Sequence, residues 1–171
     1  MNKHSIIKIA ICLSFLMSIP VQALVGKKYR QWAMGEFEVP TEIKNTTKIT
    51  ELQTFLDSKK EFTRMAAVRR LGEIKIPNTV DLLVKSLRQE PIFKGTEGVP
   101  LVKLEIIRTL GRIDTDQAKY ALLDILKDYW QRGPNIKDKK AFRLDRDFAV
   151  VMPLLLKTLY KWGGEEDVFK T

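Results

Sequence analysis

The chain of 171 residues holds one cysteine, Cys12, and one histidine, His4. Both fall within the first 23 residues, a stretch patterned as a cleaved leader. With that leader removed, the working protein has neither a thiol nor an imidazole. This excludes disulfides, Cys or His metal ligation, and nucleophile or base machinery built on those groups. Serine is almost as scarce: beyond the leader only Ser58 and Ser86 occur, neither in a Gly-x-Ser-x-Gly elbow nor in Ser-x-x-Lys. A serine hydrolase is excluded with them. Acidic charge is in deficit, 21 Asp and Glu against 30 Lys and Arg, so the formal balance is +9. At 44% hydrophobic and 30% charged, the composition is that of a globular chain of about one domain.

The leader reads in the order expected of an export signal. Lys3 and Lys8 form a positive start, residues 9–19 an apolar run, and Pro20-Val21-Gln22-Ala23 offers small residues at −3 and −1 of a cleavage site. The run is well short of the ~20 residues a membrane-spanning helix needs. Ile11 before Cys12 is bulky where a lipid-attachment site wants a small residue. Cleavage near Ala23 leaves 148 residues with a balance of +7 and no transmembrane segment, a periplasmic or secreted protein. A cysteine-free exported chain of this size points to a bacterial envelope, since it can be held by core burial alone.

Residues 24–46 show no 3.6-residue period and are expected as an irregular lead-in. From about residue 47 helical spacing takes over. Ile49, Leu52, Phe55 and Leu56 make a short amphipathic helix that stops at Asp57-Ser58-Lys59-Lys60. A second helix spans about 62–74 with Met65, Ala67, Val68, Leu71 and Ile74 inward, ending before Pro77. Asn78 or Thr79 is the expected cap of a third, carrying Val80, Leu83, Val84 and Leu87. Leu101, Leu104, Ile107, Leu110 and Ile113 form a further stripe. Asp114-Thr115-Asp116 supplies a turn and cap, and Ala118, Ala121, Leu122, Ile125, Leu126 and Tyr129 follow on the next helix. Trp130 and Trp162, each near a helix end, are expected as core or cap anchors.

The pattern repeats. Leu71-Gly72-Glu73-Ile74 aligns with Leu110-Gly111-Arg112-Ile113 at an offset of 39, and the same gap-free offset carries Leu83 to Leu122 and Leu87 to Leu126. Arg64 aligns with Lys103 and Arg69 with Arg108. A weaker third copy matches Leu159 to Leu110 and Trp162 to Ile113 at an offset of 49, with Met152 at the Arg64 position and Pro153 inside its first helix.

The stretch from Thr63 to Ile74, with its Arg, its small Ala67 and its Leu-Gly-x-Ile ending, resembles a HEAT-like repeat. Glycine after the leucine lets two helices approach closely. The resemblance implies an all-α fold, a short right-handed α-solenoid of helix pairs over 47–171, with a basic insertion near 131–147 and the last copy serving as a cap. It also implies that the second helix of each pair lines a concave binding face. The outward residues there are Asp81, Lys85 and Arg88 in one copy and Tyr120, Asp124 and Lys127 in the next.

Carboxylate pairs are ordinary: Asp114 and Asp116 sit as caps, and Glu165, Glu166 and Asp167 as an acidic first helical turn. No enzyme, cofactor or metal is expected. The segment from Arg132 to Arg146 has a local balance of +4, which suits phosphate, an envelope polyanion, an anionic membrane surface or an acidic protein. The expected function is a scaffold or assembly factor binding another protein of the cell envelope. Lys85, Arg88, Tyr120 and Lys127 are its candidate contacts, and Lys139, Lys140 and Arg143 an electrostatic rim. Salt-sensitive binding of a polyanion or nucleic acid through the basic surface is the alternative.

Overall fold

A computed structural model describes residues 38–74, 78–91, 100–132 and 146–161. The leader, most of the lead-in, the basic segment through residue 145 with Lys139, Lys140 and Arg143, and Trp162 lie outside the described residues. Those described form seven α-helices and no strands: α1 Thr41–Lys44, α2 Ile49–Leu56, α3 Glu61–Ile74, α4 Thr79–Gln89, α5 Leu101–Ile113, α6 Asp116–Arg132 and α7 Arg146–Tyr160. The all-α expectation holds. No helix among the described residues is long and apolar enough to cross a membrane.

The lead-in is less irregular than its sequence suggests. Thr41–Lys44 makes a single helical turn that buries Ile43 completely. Thr46 behind it is also buried, its hydroxyl donating to the Glu42 carbonyl at 2.8 Å while its own carbonyl accepts from Arg70 Nε at 3.0 Å. That bond ties the turn to α3. A four-residue turn is too short to register as a period, and its stability comes from this tertiary docking.

Some helix boundaries are fixed by side-chain chemistry, whereas the starts of α1, α2, α4 and α5 carry no side-chain capping bond. Ser58 Oγ accepts the Lys60 N–H just before α3. Asp114 closes α5 in the left-handed region at φ 51°, a conformation the short Asp side chain tolerates. Thr115 Oγ1 then accepts the Ala118 N–H at 3.3 Å and caps α6. The expected side-chain cap on α4 is absent: Asn78 stands at the N-cap in the left-handed region, at φ 68°, and makes no capping bond. Thr79 is buried instead, and its hydroxyl has no partner among the described groups.

Packing arranges the helices in two rows. α3, α5 and α7 lie side by side, with α2 and α1 continuing that side against α3; α4 and α6 form the second row. The inward residues of each stripe are buried as their spacing requires, including Met65, Leu71, Leu83, Leu104, Leu110 and Leu122. α5 is central, touching α3, α4, α6 and α7, and is buried nearly all round. Lys103, Glu105 and Thr109 are consequently interior residues. Glu105, fully buried, is held by Arg69 of α3 at 3.0 Å, with Arg108 of its own helix at 3.9 Å. α7 continues through Pro153 to Tyr160.

Both internal glycines mark the same contact. A Cβ at Gly72 would overlap Thr109 Cγ2 on α5, and a Cβ at Gly111 would overlap Thr158 Cγ2 on α7. The glycines are 39 positions apart and the threonines 49, the two offsets found in the sequence. Glycine is therefore required where the next helix of the row presses on this one. The third copy has Tyr160 at that position, and there the side chain is 68% exposed.

Candidate functional site

α4 and α6 run in the same direction, joined near both ends. At their starts Gln117 Nε2 donates to Asp81 Oδ1 at 3.2 Å; near their ends Arg88 Nη2 lies 3.8 Å from Asp128 Oδ2. Between these bridges lies a groove of about 640 Å³. Its apolar lining is Val80 and Val84 from α4 and Ala121 from α6. Lys85, Arg88 and Tyr120 line it as well, with Asp124 on the α6 side.

Of the four described residues expected on this surface, Lys85, Arg88 and Tyr120 line the groove. Lys127 does not line it; it is exposed on α6, 3.7 Å from Asp124. Gln117 and Asp128 were not singled out, although each lies within a turn or two of Tyr120 or Asp124 on the same helix. What periodicity conceals is their pairing across to α4. Trp130, expected as an anchor, is 37% exposed.

Two of the groove's four charged side chains are ion-paired within the protein, Arg88 facing Asp128 and Asp124 facing Lys127, while Asp81 accepts a hydrogen bond from the neutral Gln117 amide. Lys85 has no ion-pair partner among the described residues. Tyr120 is 65% exposed, an aromatic ring presented to solvent at the groove edge.

Behind the Arg88–Asp128 bridge is a smaller cavity of about 200 Å³, which buried Lys103 and Tyr129 help to line. Glu90 also borders it, and is held by Arg64 through two hydrogen bonds of 2.6 and 3.0 Å. Arg64 further donates to the Ser58 carbonyl at 2.8 Å. The Glu90 hydrogen bond raises the Arg64 pKa against the opposing effect of burial, with the Glu90 and Glu61 charges adding to it. Arg64 is thus a permanent structural cation, closing α3 onto the end of α4. Among the described residues no group of three or more His, Cys, Asp or Glu is placed to hold a metal. The chain matches no protein-family profile, no curated protein and no solved structure.

Proposed function

We propose that this chain is an exported, non-enzymatic interaction module of HEAT-like helix pairs, arranged as a short right-handed α-solenoid, which binds another protein of the cell envelope. The repeated glycine–threonine contact between neighbouring helices of one row supports the repeat reading. Tyr160 at the third glycine position fits a terminal unit that accepts no further helix. Cleavage near Ala23 would deliver the module to the periplasm or medium.

The observation that carries the binding role is the groove between α4 and α6, which joins apolar lining to an exposed tyrosine and a cation without an ion-pair partner. Tyrosine is enriched among residues that dominate protein interfaces. Its near-balanced charges favour a protein over a polyanion, which needs a stripe of one sign. Lys139, Lys140 and Arg143 would act as a rim that speeds encounter.

Affinity capture from the native envelope fraction tests this, in low and high salt, with Lys139→Glu and Lys140→Glu introduced together in parallel. One stoichiometric protein retained in high salt is expected, recovered more slowly by the charge-reversed variant. Recovery of salt-labile polyanion alone would refute the protein-binding role and move the site to the basic segment.

A further inference from the structure

α7 ends its row, and its outer face repeats one that is covered in the two units before it. Pro153 and Leu156 align with Leu104 and Ile107 at the offset of 49, and those with Met65 and Val68 at the offset of 39. Met65 and Val68 share a helix face with Gly72, as Leu104 and Ile107 do with Gly111, and all four are buried. On α7 the same positions are partly exposed. Ala149, Pro153, Leu156 and Tyr160 recur there every three or four residues, on the side away from Thr158, which presses on Gly111. Tyr160, where the earlier units have glycine, keeps another helix from packing as closely.

Charge and chain length name a different occupant. Lys157 aligns with Arg69, the residue that reaches Glu105 on the next helix of the row. Lys157 and Lys161 are exposed and have no ion-pair partner among the described residues. Residues 148–161 include no acid, so this face selects a negative partner. The chain itself supplies one directly afterwards, as Gly163-Gly164 followed by Glu165-Glu166-Asp167-Val168-Phe169-Lys170-Thr171. Those last seven residues reach up to about 23 Å when extended. From Tyr160 back to Pro153 is about 10 Å along the helix. The order also matches: turning back at the glycines brings the acids past Lys161 and Lys157 before Val168 and Phe169 reach Leu156 and Pro153. Tethering at so short a distance raises the local concentration of the segment to about the millimolar range.

We propose that residues 165–171 fold back over the outer face of α7, with Glu165, Glu166 and Asp167 against Lys157 and Lys161 and Phe169 seated on Pro153 and Leu156. The segment then closes the end of the row and keeps its apolar face from joining copies of the chain end to end.

Disulfide trapping tests this in the full chain carrying Cys12→Ser, which then has no other cysteine. With Phe169 over Pro153, Thr171 falls near Ala149, one turn further back, so Ala149→Cys and Thr171→Cys are introduced together. The effective concentration of the two thiols is read in glutathione redox buffers by mass spectrometry. It should fall at least tenfold when Glu165, Glu166 and Asp167 are all changed to Lys. Lys157→Glu should lower it about threefold, and adding Glu166→Lys should recover it. Lys157 is exposed, so its variant should keep the wild-type circular dichroism and urea midpoint. An effective concentration indifferent to the triple reversal would overturn the proposal. Disulfides formed mainly between molecules would overturn it too, assigning the face to a second copy.

Discussion

Gly72→Ala should be destabilising in the wild-type protein and stabilising once Thr109 loses its methyl group. In isolation, alanine in a helix interior is favoured over glycine by about 1 kcal/mol. Here the new Cβ would overlap Thr109 Cγ2, on a buried, β-branched side chain with few rotamers to escape into. Overpacking of that kind costs about 1–3 kcal/mol. The net change for Gly72→Ala is therefore a loss of up to about 2 kcal/mol. Thr109→Ser removes the obstructing methyl at a cost of about 1 kcal/mol for the lost apolar group. On that background Gly72→Ala should gain about 0.5–1 kcal/mol from helix propensity. Urea titration followed by far-UV circular dichroism resolves these differences if the slope of the transition stays constant. The double-mutant coupling should be about 1–3 kcal/mol. Gly111→Ala with Thr158→Ser should reproduce it one unit on, whereas Tyr160→Ala, at the exposed third position, should change stability by less than about 0.5 kcal/mol. A stabilising Gly72→Ala in the wild-type protein, or a coupling near zero, would refute the close approach of α3 and α5.

Other perturbations separate core, ion pairs and rim. Leu110→Ala, at a fully buried site on the central helix, should cost about 2–5 kcal/mol in the same urea assay. Replacing Arg69 and Arg108 together by Met leaves the buried Glu105 carboxylate without its two cations and should cost about 3–5 kcal/mol. Glu105→Gln, which removes the buried charge itself, should cost less; the reverse order would contradict the assigned burial. Lys139→Glu combined with Lys140→Glu should leave the urea midpoint unchanged and lower the association rate with an acidic partner, read by stopped-flow at low salt. A stability loss from that pair exceeding the loss from Leu110→Ala would contradict its assignment as a rim.

Much of the helical framework was readable from the chain because α3 to α6 each present an apolar stripe at helical spacing, and two copies align without a gap. The alignment of Arg64 with Lys103 was visible in the chain, but its partner was not: Glu90 lies at the end of α4, 26 residues away. Where the reading fell short, the deciding contact was tertiary. The turn at Thr41–Lys44 is held by Arg70 from α3, and Thr79 is turned inward instead of capping α4. The burial of Glu105 could not be inferred from the stripe on α5, because its partner Arg69 belongs to the neighbouring helix. Gly72 was expected to permit close helix approach, but the partner, Thr109, lies in the next unit along the row. For the groove, sequence spacing marked Lys85, Arg88 and Tyr120 as outward on their helices. The bridges that close it pair residues from different units and emerge only when α4 lies beside α6.

Amide hydrogen exchange of the full chain, alone and saturated with the protein it captures at high salt, tests the interaction reading most directly. Added protection confined to residues 80–89 and 117–128 is the predicted result. Protection centred on α2 and α3 with none along α4 and α6 would contradict it.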